Sequence, residues 1–217
     1  MTPFLLVLSS PSGGGKTTIA RRLLDLRADV GYSVSATTRP RRAGEVDGSD
    51  YHFLTTAEFA RRESAGEFIE TATYNGHRYG TLRSEITRSF SAGRHVVLDI
   101  EVEGARQVRR HFPNAVHVFV LPPSAQVLLE RLRGRQTEDA AALRRRMGHA
   151  ADEFQAVGEY DYAVVNDTLE AAVARVMAIL DAECSRVARR ADLPALAEVL
   201  RAGVYTAMQG MESAAEA

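Results

Sequence analysis

The sequence predicts an α/β fold, a parallel sheet flanked by helices, and three observations carry that prediction. A short apolar run, Phe4-Leu5-Leu6-Val7-Leu8, leads into a glycine-rich loop and then into a segment of helical spacing. Two further apolar runs, His95-Val96-Val97-Leu98-Asp99-Ile100 and Ala115 to Leu121, are each followed by helix-like sequence. Strands that alternate with helices form parallel sheets. At ~100–200 residues per domain, a chain of 217 residues holds one domain with an elaboration.

Taken in order, Phe4 to Leu8 reads as a buried strand, and Ser9-Ser10-Pro11-Ser12-Gly13-Gly14-Gly15 fits neither regular element. From Thr17 to about Ala28, Ile19, Ala20, Leu23 and Leu24 recur at helical spacing, with arginines opposite. Residues 32–81 change character, rich in Ser, Thr, Gly, Arg and Tyr. The strand-like pieces Tyr32-Ser33-Val34-Ser35 and Tyr51-His52-Phe53-Leu54, with a helix-like piece from Thr56 to Arg62, predict a mixed α+β insertion there. Leu82 to Phe90 is the next helix, closed by Gly93, and Gly104 to His111 another. Ser124 caps a helix running to about Arg133, and Thr137 caps one with Glu138 and Asp139 in its first turn, where negative charge suits the helix dipole. Tyr162-Ala163-Val164-Val165 is a last strand, Thr168 to about Arg190 a long amphipathic helix, and 191–217 a loose helical or flexible tail.

Composition narrows the class. The apolar fraction of 45% excludes wholesale disorder, and the formal net charge of −1 gives no footing to a nucleic-acid or anionic-membrane partner. The first apolar run is far short of the ~20 residues a bilayer span needs, and it lacks a signal peptide's basic flank. One cysteine, Cys184, allows no internal disulfide, so a reducing, cytoplasmic setting is expected. The six histidines show no ligand spacing. Of the 27 Lys and Arg residues, Lys16 is the single lysine and the other 26 are arginines.

That lysine stands in Ser10-Pro11-Ser12-Gly13-Gly14-Gly15-Lys16-Thr17, which matches the phosphate-binding pattern G-x-x-x-x-G-K-[ST] except at its first glycine. The chemistry needs backbone N–H groups turned toward phosphates, which glycines allow. It also needs an ammonium on a flexible stem and a hydroxyl for Mg²⁺, here Lys16 and Thr17. An arginine's rigid fork replaces a point charge poorly in so crowded a loop. Asp99, closing an apolar strand, fits the acid that orients Mg²⁺ through its waters. A nucleoside triphosphate is the expected donor, with Mg²⁺ the expected cofactor.

Ser35-Ala36-Thr37-Thr38-Arg39-Pro40-Arg41-Arg42-Ala43-Gly44-Glu45, then Gly48-Ser49-Asp50-Tyr51-His52-Phe53, Phe68-Ile69-Glu70 and Tyr79-Gly80-Thr81 follow in an order and spacing that resembles the guanylate kinase family, over about residues 4–187. The resemblance implies a P-loop nucleoside monophosphate kinase fold within residues 1–190, with a core of about 1–31, 82–123 and 158–190. It also implies a GMP-binding insertion over 32–81 and a lid over 124–157. On the donor side it implies Pro11, Ser12, Gly13, Gly14, Gly15, Lys16, Thr17, Thr18 and Asn166 as ATP contacts. On the acceptor side it implies Arg39, Arg42, Tyr51 and Tyr79 around the GMP phosphate, with Glu70 reading guanine N1–H and the 2-amino group. Ser35, Gly80, Thr81 and Asp99 complete that set.

Guanidinium forks suit a phosphate dianion, and adenine presents a lone pair where guanine N1 donates, so Glu70 is the expected specificity residue. Lys16, Arg39, Arg131, Arg135 and Arg146 are the implied catalytic cations, the last three delivered by the lid, whereas Arg133, Arg144 and Arg145 read as solvated charge. The sequence departs from the family's usual pattern in three places: Pro40 stands one position early, which lets Arg41 compete with Arg42; Ser10 replaces a glycine; and Glu103 precedes Gly104 where a glutamine is usual. The implied reaction is ATP plus GMP to ADP plus GDP. The competing readings are a phosphoryl transferase for a ribose phosphate and an inactive kinase-like module that binds partner peptides.

Overall fold

The structure, a computed structural model, describes residues 2–74, 76–133 and 140–215. Its elements, in chain order, begin with β1 (Leu5–Ser9), α1 (Lys16–Leu26), β2 (Val30–Tyr32), β3 (Ser35–Thr37), β4 (His52–Phe53) and α2 (Thr56–Ser64). They continue with β5 (Phe68–Tyr74), β6 (His77–Leu82), α3 (Arg83–Ser91), β7 (His95–Asp99), α4 (Val102–His111) and β8 (Val116–Leu121). Then come α5 (Ala125–Arg133), α6 (Ala140–Glu153), β9 (Tyr162–Val165), α7 (Leu169–Ser185) and α8 (Leu193–Ala215). The chain divides into two compact units, residues 3–179 and residues 1–2 with 180–217.

In the larger unit, five parallel strands lie in the order β2-β7-β1-β8-β9. β1 is central and buried throughout, as a strand covered on both faces must be. Leu5 and Val7 share one buried cluster with Val96, Leu98 and Ile100, and with Ala105 and Val108 of α4. Ile69 of β5 joins that cluster, which anchors the second sheet to the first. This second sheet runs β4-β3-β6-β5, with β3 antiparallel to β6 and β6 antiparallel to β5. Its own small core is Ala36, Phe59, Phe68 and Leu82, with Phe59 stacked on Phe68 at 4.5 Å between ring centres.

The smaller unit contains the end of α7 and all of α8. Glu183 accepts from Arg186 and from Arg189, whose carbonyl accepts from Thr2 N at 3.0 Å.

The α/β expectation is met, and two local readings are corrected. The single strand read over Tyr32 to Ser35 is two strands in different sheets, because Ser33 donates to Val97 O at the edge of the core sheet while Ser35 pairs with Thr81 in the other. The long final helix ends at Ser185 and not near Arg190. The tail takes the helical of its two expected forms as α8, with Leu196, Leu200, Val204, Met208 and Met211 exposed along one side. Ser124 caps α5 as expected, accepting from Val127 N at 3.2 Å. Arg135 and the Thr137 cap with Glu138 and Asp139 lie outside the described residues.

Candidate functional site

Parallel α/β sheets bind ligands beyond the carboxyl ends of their strands. Here the loop after β1, Asp99 at the end of β7 and the second sheet face a common cleft of about 720 Å³. The loop turns through Gly13 at φ +87° and Gly15 at φ +97°, conformations that cost a side-chain-bearing residue dearly. A Cβ on Gly15 would also stand 2.3 Å from Asn166 Nδ2, which donates to Gly14 O at 2.8 Å. Asn166 thus braces the loop from behind, and neither it nor Pro11 nor Gly14 lines the cleft. Ser10 is buried, its hydroxyl donating to Pro11 O, and its Cβ fills the space a Gly14 side chain would need. That accounts for glycine at position 14. Gly15 caps α1 with no side chain accepting from the helix, so the first N–H groups stay available to an anion.

Lys16, 13% exposed, donates to Glu101 Oε1 at 2.7 Å. Burial alone would pull its ammonium down, but the Glu101 carboxylate, with Asp99 and Glu153 behind it, holds the group charged and raises it. Glu153, at the end of α6, is pushed up by burial and by the Glu101 carboxylate. Thr17 Oγ1 donates to Asp99 Oδ2 at 2.6 Å, and Tyr32 OH donates to Asp99 Oδ1 at 2.6 Å. Tyr32 is raised by burial and then by the Asp99 charge, so it serves as a neutral donor. A hydroxyl and a carboxylate side by side are hard oxygen donors. Among the described residues no group of three His, Cys, Asp or Glu could hold a metal alone. This donor set fits Mg²⁺, which keeps waters and phosphate oxygens in its shell and takes few protein ligands.

On the opposite wall, Arg39 Nη2 donates to Glu45 Oε1 at 2.7 Å, and its guanidinium lies 5.4 Å from the Tyr51 ring centre. Glu45 Oε2 accepts from Arg42 N at 2.8 Å, so one carboxylate orders both arginine positions. Arg42, Tyr51 and Tyr79 line the cleft with Arg39, and Arg41 is exposed outside it. Glu70 lies deeper and is 4% exposed. Burial pushes its carboxyl up to about 7, against the Thr81 hydroxyl that donates to it at 2.6 Å and with the Glu101 charge adding to the rise. Ser35 lines the cleft, Thr81 is buried behind Glu70, and Gly80 is pressed beneath Phe68, where a Cβ would stand 2.9 Å from the ring.

Glu70 Oε2 would stand 2.5 Å from a Cβ on Gly104, so a side chain there would push the carboxylate aside. Alanine is the better helix former by about 1 kcal/mol, so any loss in Gly104→Ala comes from the displaced carboxylate. The expected result is a roughly tenfold rise in KM for the nucleotide read by Glu70, with KM for ATP unchanged, by steady-state kinetics. Glu103, the neighbouring departure, points away and pairs with Arg106 at 3.6 Å.

Of the lid cations, Arg146 is 4% exposed and donates to Ser12 Oγ at 3.1 Å on the cleft wall. Arg131 donates to Asn166 O at 3.4 Å, and its Nη1 is buried without a partner among the described residues. Arg133, Arg144 and Arg145 are exposed. Sequence reasoning missed Tyr32, Glu45 and Glu101. Only Glu101 had a local signal, an acid two residues beyond Asp99.

Comparison with known proteins points to one family. The family model described as guanylate kinase matches residues 3–183. A guanylate kinase of Symbiobacterium thermophilum is 46% identical over 185 residues, covering 85% of this chain and 88% of the relative. A guanylate kinase of Thermotoga maritima is 45% identical over 188 residues, covering 87% and 91%. The crystal structure of guanylate kinase from Anaplasma phagocytophilum is similar at a TM-score of 0.75 and 35% identity, covering 91% of this chain and 95% of that one.

Proposed function

Because the chain belongs to the guanylate kinase family, we propose that the cleft binds its two nucleotides head to head, with the ATP phosphates in the loop after β1 and GMP against the second sheet. The protein is an ATP:GMP phosphotransferase that yields ADP and GDP. The observation that carries the site assignment is the buried Glu70 carboxylate in the same cleft as Lys16 and Arg39.

Glu70 accepts from guanine N1–H and the 2-amino group, and Ser35 serves the base's other polar edge from the cleft wall. Thr81 holds the carboxylate in place. Arg39, Arg42, Tyr51 and Tyr79 hold the GMP phosphate, whose oxygen attacks the γ-phosphorus in line. That phosphate is largely ionised near pH 7, so no general base is needed, and catalysis is positioning plus charge neutralisation. Lys16 sits on the β- and γ-phosphates, with Ser12, Gly13, Gly15, Thr17 and Thr18 around it and Asn166 bracing the loop. Thr17 would hold Mg²⁺, with Asp99 acting on it through water, and the ion would supply charge neutralisation to the triphosphate. Residues 32–81 form the acceptor subdomain, and 124–157 form a lid that brings Arg131, Arg135 and Arg146 to the transferring group and excludes water.

The cytoplasm is the proposed setting, where the reaction returns GMP to the guanine nucleotide pool. The chain's single cysteine, Cys184, is buried and allows no internal disulfide, which suits a reducing compartment, and no helix among the described residues is long and apolar enough to cross a membrane.

A coupled ADP-release assay with GMP, dGMP, AMP, UMP and ribose phosphates tests the assignment. Turnover is expected with GMP, and more weakly with dGMP. Equal or better turnover with AMP would sink the guanine-reading role of Glu70, and turnover with a ribose phosphate alone would move the protein to another acceptor class.

A further inference from the structure

β5 is an edge strand of the four-stranded sheet, so its outward N–H and C=O groups face no neighbouring strand. At Thr71 they are met by a side chain. Gln107 Oε1 accepts from Thr71 N at 3.0 Å, and Gln107 Nε2 donates to Thr71 O at 2.8 Å. A primary carboxamide offers the same donor and acceptor as a peptide group, so Gln107 pairs with Thr71 as a further strand would. The place matters because the β5–β6 register shifts between Phe68 and Glu70. A bulge re-aims side chains and weakens the ladder around it, leaving the strand in need of outside support.

Three successive residues of β5 are thereby set against α4. Ile69 packs in the cluster that holds Ala105 and Val108, Glu70 Oε2 rests against Gly104, and Thr71 is held by Gln107. Gly104 and Gln107 are three residues apart on the helix and so share a face. On the other side the Thr71 hydroxyl donates to Glu63 at 3.0 Å, so Gln107 supplies the hold from α4.

We infer that Gln107 is a positioning residue for guanine recognition: its double hydrogen bond to the Thr71 backbone fixes the depth and direction of the Glu70 carboxylate in the cleft. This inference rests on the reading of Glu70 given above. Gln107 touches no substrate in that arrangement. Its effect must therefore appear in base recognition and leave the donor side alone.

The test compares wild type with Gln107→Met, which keeps the length and removes both polar groups, using GMP and inosine monophosphate. The latter lacks the 2-amino group, so the ratio of kcat/KM for the two acceptors reports how well Glu70 holds both guanine donors. The expected result is a roughly tenfold higher KM for GMP, KM for ATP within about twofold, and a GMP-to-IMP preference reduced about tenfold. Hydrogen exchange should show the Thr71 amide losing protection in the variant. An unchanged preference overturns the inference, as does a joint rise of both KM values with the preference intact, since that is the mark of a merely structural role. A wild-type protein without GMP turnover would instead refute the reading of the site, and the inference with it. Should the Met variant fail to fold, Gln107→Asn, one methylene too short to reach Thr71, is expected to give the same shifts. Wild-type preference in that variant is disproof.

Discussion

Lys16→Met is expected to lower kcat by on the order of 10³-fold while GMP binding, measured by calorimetry, stays within a few-fold of wild type. Lys16 is the first residue of α1 and lines the cleft; in the proposed arrangement its ammonium reaches the transferring phosphoryl group, and the acceptor contacts lie on the second sheet. Charge builds on the γ-phosphoryl oxygens during transfer, and a cation fixed there acts chiefly in the transition state. Methionine matches the stem and removes the charge. Lys16→Arg should lose nearly as much, because a planar fork held by Glu101 cannot place a point charge among the loop N–H groups. A kcat within tenfold of wild type in either variant would take Lys16 out of the transfer step.

Glu70→Gln is expected to lower kcat/KM for GMP by about 10²-fold, mainly through KM. The variant's amide keeps one acceptor but turns a donor toward a base edge that already donates. The pH dependence separates this effect from a packing defect. Burial, with the Glu101 charge, puts the wild-type carboxyl at about 7, so GMP recognition by the carboxylate weakens as pH falls through that value. KM for GMP, divided by that of Glu70→Gln at the same pH, should therefore rise on the acid side.

Stability runs the opposite way. A carboxyl raised in the folded chain binds its proton more tightly there than in the unfolded chain. Its contribution is therefore fully present below the ordinary carboxylate range and is lost as pH rises through about 7. Glutamine does not titrate, so the melting temperature of the variant should gain on wild type between pH 5 and pH 8. A constant difference across that range would mean that Glu70 is ionised throughout.

The features legible in the sequence are those that short-range sequence determines. The loop from Ser10 to Thr17 follows a strand and opens a helix, and its glycines and lysine are contiguous, so its shape could be read without knowing what lies opposite. Glu70 and the arginines at 39 and 42 were legible only jointly, through the spacing of several motifs. The hairpin of β5 and β6 was not read as strands, because the bulge places Phe68, Ile69 and Glu70 all in buried positions and breaks the alternation a strand should show. Tyr32 could not be found because its partner Asp99 is 67 residues away, and Gln107 because Thr71 is 36 residues away. No local pattern marks a tyrosine or glutamine whose use depends on where another strand ends. Glu45 lies only six residues from Arg39, but an acid in an arginine-rich loop reads as solvated charge until the turn brings them together.

Two of the cations proposed to meet phosphate, Lys16 and Arg39, each hold a carboxylate of the same chain, Glu101 and Glu45. Nucleotide entry is therefore an exchange of partners rather than the filling of a bare positive hole. An incoming phosphate must outcompete a tethered acid. As ADP and GDP depart, the same acids are already in place to recapture the cations, so each leaving phosphate faces a rival a few ångströms away. The pairs thus trade some grip on both nucleotides for selectivity at entry and ease of exit, an arrangement suited to an enzyme that must let go of products nearly as charged as its substrates.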